Sequence, residues 1–130
     1  MPTKGSLELP GLRVTVEKLI HHRGPDFPAE TPHAFVYFLA IANLSDRTVT
    51  LRGRKWILRP AEGPVEVVEG DGIVGQTPVL RPGEVFRYNS YHLTDGRPLV
   101  ASGAFHGLDD AGQPVHTLIP DIPMTAPASP

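Results

Sequence analysis

The chain has 130 residues, a formal net charge of −2, no cysteine, and a heavy load of 13 glycines and 15 prolines. That length suits one domain with its own core, and the missing cysteine excludes disulfides and thiolate metal sites and fits a reducing compartment, the cytoplasm. The charge gives no general attraction to nucleic acid or anionic lipid, no apolar run approaches a membrane span, and so much Gly and Pro favours short strands over long helices.

Residues 1–10 form a polar lead-in without the apolar segment of a secretory signal. Leu12 to Ile20 alternates polar and apolar and reads as the first strand. Arg23 to Pro32 holds Pro25, Pro28 and Pro32 and must be a loop. His33 to Leu44 reads as a long strand with Phe35, Tyr37, Leu39 and Ile41 on one face. Its other face, Ala34, Val36, Phe38 and Ala40, is apolar too, which predicts a central, covered strand. Asn43 to Asp46 is turn chemistry, and Arg47 to Leu51 is a β-branched strand.

The stretch Leu51 to Glu84 organises the rest. Arg54 to Leu58 reads as a strand that turns Trp56 and Leu58 inward and Lys55 and Arg59 outward. Pro64 to Glu69 is a second strand, joined to it by a short loop at Ala61-Glu62-Gly63. Gly70-Asp71-Gly72-Ile73-Val74-Gly75 follows with the spacing of a dinucleotide-binding fingerprint. That fingerprint needs a helix opening at its end, and Pro78 disfavours one here. Two readings remain. In one, the segment is an inter-strand loop needing positive φ at two or three places. In the other, Gly70, Asp71, Gly72 and Gly75 form a backbone nest whose N–H groups hold phosphate.

Pro82-Gly83 makes a turn, and Val85 to Ser90 alternates as a strand with Phe86 and Tyr88 on one face. This Leu-x-Pro-Gly corner resembles the E–F corner of fibronectin type III sandwiches, where a tyrosine hydroxyl ties the corner to the backbone; Phe86 stands at the matching place and has no hydroxyl. Thr94 to Pro98 is a loop, and Leu99 to Leu108 and Pro114 to Ile119 form a last hairpin about Asp109-Asp110-Ala111-Gly112. The domain therefore spans residues 11–124, and 125–130 reads as a disordered tail.

Arg52, Arg54, Lys55 and Arg59, with Arg47 nearby, read as a solvated strand face or as a patch for phosphate or an acidic partner. No HxH or HExxH spacing occurs. A three-residue loop in the last hairpin sets His106 opposite His116 on the outer face, with Cβ atoms about 4.5–5.5 Å apart, within reach of one metal ion. No nucleophile elbow or cysteine nucleophile is present, and Asp109, Asp110 and Asp121 sit in turn or loop settings, so catalysis has little support and no cofactor is called for.

Leu51-Arg52-Gly53-Arg54-Lys55-Trp56, Gly70 to Leu80, Pro82-Gly83-Glu84, Asp109 to Gln113 and Ile119 to Pro123 together resemble the ApaG family over residues from about Leu12 to Met124. The resemblance implies a fibronectin-like sandwich whose bacterial members are linked with cobalt tolerance and magnesium efflux. Related domains in eukaryotic F-box proteins and in a DNA-polymerase-interacting protein imply protein binding, and the family supplies no catalytic residues to carry over. Tyr91-His92-Leu93 stands where many members have small residues, so recognition there is expected to differ.

The expectation is thus an all-β, fibronectin type III or immunoglobulin-like sandwich of about seven or eight antiparallel strands. The leading function is a non-enzymatic interaction protein of the cytoplasm, a monomer or small homo-oligomer connected with Co²⁺/Mg²⁺ homeostasis. The competing one is a small-ligand protein binding phosphate, pyrophosphate or nucleotide at Gly70–Gly75, with weak phosphohydrolase activity. Neither involves nucleic acid or membrane.

Overall fold

A computed structural model describes residues 5–127; the start of the lead-in and the last residues of the expected tail lie outside them. Every regular element among the described residues is a strand: β1 (Leu7–Glu8), β2 (Leu12–Arg23), β3 (His33–Asn43), β4 (Val49–Pro60), β5 (Glu66–Asp71), β6 (Val79–Leu80), β7 (Val85–Thr94), β8 (Leu99–Asp109) and β9 (Pro114–Met124). One sheet runs β1-β9-β8-β4-β5, with β6 also pairing β4; the other is β2-β3-β7. The sheets close a sandwich of the fibronectin type III kind, seven long strands with two strands of two residues added.

The core lies where the inner faces meet, as alternation predicts. Phe35, Tyr37, Leu39 and Ile41 of β3 are all buried, facing Trp56 of β4, Phe105 of β8 and Ile119 of β9. Trp56 is 1% exposed and sits 4.8 Å from the Tyr37 ring, so the indole centres the core. Leu9 of the lead-in is buried in that core as well, and β1 pairs β9 in parallel, so this segment contributes to the fold.

The two strands expected at Arg47–Leu51 and Arg54–Leu58 are one continuous strand, β4. A register shift between Leu51 and Gly53 against β8 joins them. The extra residue, Arg52, absorbs a change of parity: Val49 and Leu51 face inward before it, Trp56 and Leu58 after it. β5 begins two residues later than its β-branched run suggests and takes in Gly70 and Asp71. β9 continues past Ile119 through two prolines to Met124, burying Ile122 and Met124.

The corner between β6 and β7 is tied without a tyrosine hydroxyl. Asn43, fully buried at the end of β3, donates from Nδ2 to the carbonyl oxygens of Arg47 at 2.7 Å and Leu80 at 2.8 Å. Its Oδ1 accepts from Ser45 Oγ at 2.6 Å, and its carbonyl accepts from Gly83 N–H at 2.6 Å. One side chain thus fastens both the turn after β3 and the Pro82-Gly83 corner.

Candidate functional site

The glycine segment divides between a strand and a turn. Gly70 lies in β5 opposite Arg54. A methyl group there would sit 2.6 Å from Arg54 Nη1 and 2.8 Å from Cζ and Nη2, so the missing side chain is the space the guanidinium occupies. Arg54 Nη1 donates to the backbone oxygens of Asp71 at 2.9 Å and Gly72 at 3.1 Å. Gly72 takes φ +71° and packs against the Gln76 carbonyl, where a Cβ would lie at 2.9 Å. Ile73 and Gln76 exchange backbone hydrogen bonds of 2.8 and 3.0 Å around Val74 (φ 46°) and Gly75 (φ 78°), a two-residue type I′ turn. Positive φ therefore falls at three places, one of them a β-branched residue in a region such residues avoid. Of the amides a nest would offer, Gly72 N–H is taken by the Arg52 carbonyl at 2.7 Å and Ile73 N–H by Gln76.

The basic residues do not form one patch. Arg54 shares the inward parity of Trp56 and Leu58, whereas Lys55 and Arg59 face out. Lys55 Nζ lies 3.6 Å from Glu69, Arg59 Nη1 donates to Ser102 Oγ at 3.0 Å, and Arg47 Nη1 pairs with the buried Asp109 carboxylate at 3.1 Å. Arg52 lines a different surface hollow with His106. Of these cations, Arg54 alone reaches the gap between the sheets.

There it meets residues read from the sequence as core. A cavity of about 290 Å³ is lined by Tyr37 of β3, Arg54, Tyr88 and Ser90 of β7, and Asp71, Val74 and Gly75 of the glycine segment. The Tyr88 hydroxyl is buried with no hydrogen-bond partner. Burial pushes the Tyr88 phenol up, the neighbouring Tyr37 adds to that, and the charge of Arg54 works against it. The Tyr37 phenol is also raised by burial, opposed by the Ser90 hydroxyl and again by Arg54. Both phenols therefore keep their protons near neutral pH and act as donors. Guanidinium and hydroxyls make this wall donor-rich, a lining for an oxyanion. A phosphohydrolase would need a general base or metal ion beside the phosphoryl group, and among the described residues Asp71 is the only carboxylate lining the cavity. The sequence signal for the site was parity: hydroxyl-bearing Tyr37, Tyr88 and Ser90 fall on inward faces opposite an inward arginine.

His106 and His116 stand opposite each other in the β8–β9 hairpin, in the register the loop length predicts. Their rings engage different neighbours. His106 lies over Gly53, and His116 Nδ1 is 2.7 Å from Ser6 Oγ. Among the described residues no three His, Asp or Glu side chains converge on a metal-binding geometry. No helix among the described residues is long and apolar enough to cross a membrane.

A family model described as ApaG domain matches residues 25–108. A protein named Protein ApaG from Beijerinckia indica is 39% identical over 105 residues, covering 77% of each chain. Another of that name from Yersinia pseudotuberculosis is 30% identical over 122 residues, covering 94% of this chain and 97% of its own. A solved structural-genomics target is similar in fold, with a TM-score of 0.80 at 26% identity, covering 91% of this chain and 89% of its own.

Proposed function

The chain belongs to the ApaG family, and on that premise we propose that it is a non-enzymatic interaction protein which docks a partner protein on the outer face of the β2-β3-β7 sheet. The observation that carries this reading is a row of apolar side chains across that face. Ile20, Val36 and Tyr91 lie in register on three adjacent strands. Phe38 and Leu93 flank them, and Tyr91 is 57% exposed. An exposed tyrosine within an apolar row is the composition of an interaction hot spot.

The charges around the row favour an acidic partner. Arg13 and Lys18 stand on this face without a carboxylate partner among the described residues, and Arg87 is paired with Glu17 at 3.2 Å. A cationic rim about an apolar centre steers and orients an acidic surface. The family's connection with cobalt and magnesium handling enters as an action exerted on that partner, met in the cytoplasm. The competing small-ligand reading is favoured by one observation, the placement of Arg54 beside two phenols, and is independent of this face.

A photo-crosslinker at position 91, with one at the exposed Leu118 of the other sheet as control, tests the docking face. One protein should be captured from the native cytoplasm at 91, not at 118, and lost with Arg13→Glu and Lys18→Glu together. Equal capture at both positions, or capture indifferent to the charge reversals, refutes it.

A further inference from the structure

We propose that the cavity between Tyr37, Arg54, Tyr88 and Ser90 binds the phosphoryl group of a small hydroxylated phosphate monoester. The argument begins with Arg54, a guanidinium on the inward face of a central strand. It is seated over Gly70 and fixed through Nη1 by two backbone oxygens. Those bonds leave Nε and Nη2 without an acceptor among the described residues, and no carboxylate lies within ion-pair distance of the side chain. A half-buried cation held rigidly and left unneutralised is costly unless an anion completes it.

Tyr88 supplies an independent observation. Its hydroxyl is shut off from solvent and makes no hydrogen bond, although its ring is well packed, 5.7 Å from Phe86 and 6.0 Å from Phe105. Phenylalanine would fill that packing without an orphaned donor. The hydroxyl is accounted for by an acceptor that the protein itself does not provide.

Geometry separates the possible oxyanions. Arg54 approaches from β4, while Tyr37, Tyr88 and Ser90 approach from the facing sheet. A planar carboxylate satisfies a guanidinium fork edge-on but offers few lone pairs to donors on the opposite side. A tetrahedral phosphoryl group presents oxygens to both walls. The cavity exceeds the size of inorganic phosphate, so it has space for an organic part. Asp71 lines the same cavity, giving a hydroxyl on that part an acceptor and opposing the extra charge of a polyphosphate.

Calorimetric titration with glycerol 1-phosphate tests this, with inorganic phosphate, pyrophosphate and acetate as comparators. Amide NMR shifts at Gly72, Val74, Gly75 and Ser90 locate any binding. The ester should bind saturably at millimolar concentration or below, more tightly than the comparators. Arg54→Lys should abolish binding. Arg54 also holds the glycine segment, so the decisive variant is Tyr88→Phe, which removes a hydroxyl with no protein partner. It should melt no lower than wild type and bind the ester about tenfold more weakly. A Tyr88→Phe isotherm identical to wild type, or no saturable binding of the ester, overturns the site. Equal affinity for inorganic phosphate overturns the organic part of the assignment.

Discussion

Asn43 Nδ2 and the Leu80 carbonyl oxygen are joined by a 2.8 Å hydrogen bond between two residues 37 positions apart, with the donor side chain fully excluded from solvent. Asn43→Ala removes both Nδ2 bonds, to the Leu80 and Arg47 carbonyls, together with the Oδ1 acceptor of the Ser45 hydroxyl. The expected loss is about 3 kcal/mol or more, because each orphaned buried group costs about 1–3 kcal/mol. Urea denaturation at unchanged m-value measures it. A loss of less than about 1 kcal/mol would mean that the corner holds without this tie.

Trp56→Ala should cost roughly 3–5 kcal/mol, the usual range for truncating a large buried aromatic. The indole packs on Tyr37 and stands edge-on to His92 at 4.8 Å and Phe105 at 6.4 Å, so three neighbours would line the void. Denaturant melts read the change.

Val74 occupies the first central position of a type I′ turn with a side chain that disfavours positive φ. Val74→Asn gives that turn the Asn-Gly pair it prefers and should stabilise by about 1 kcal/mol. Gly72→Ala should destabilise by about 1 kcal/mol or more, from both its φ of +71° and its contact with the Gln76 carbonyl. A rise in melting temperature for the first and a fall for the second are the expected results.

His92 gives the fold a pH dependence. Burial lowers its pKa from 6.5 to about 4, and its Nε2 has no partner. The native state therefore holds the ring neutral while the unfolded chain protonates it. This contribution is full above pH 6.5 and is lost as pH falls from 6.5 through about 4. The whole effect amounts to about 3 kcal/mol at 1.4 kcal/mol per unit. Melts across that window should show the decline, and His92→Phe should flatten it. An unchanged slope in that variant would assign the decline to other groups.

Most of the sandwich was legible because both faces of each long strand declare themselves. The alternation of Phe35, Tyr37, Leu39 and Ile41 fixed the inner face of β3, and the turn at Asp109–Gly112 fixed the register of His106 on His116. The strands β1 and β6 were invisible, since two residues carry no period. The candidate cavity was half legible. The glycine spacing drew notice to a segment that lines the cavity, but Gly70 serves by making room for Arg54 and Gly72 by its φ. Counting back from Trp56 places Arg54 inward, yet an arginine within a run of cations reads as solvated surface. Tyr37 and Tyr88 passed as core aromatics because a sequence does not reveal which buried hydroxyl lacks a partner.

The position of β9 bears on how the nascent chain reaches this structure. Val115, Ile119, Ile122 and Met124, all buried, come from β9, the last strand in chain order among the described residues, which also pairs with β8 along nearly its full length. While residues 114–124 remain inside the ribosome, β8 has one unsatisfied edge and the sandwich lacks one wall of its core. The earlier strands can pair, but closure must await the emergence of residues 114–124. In that interval the open edge of β8 can mispair with another nascent copy.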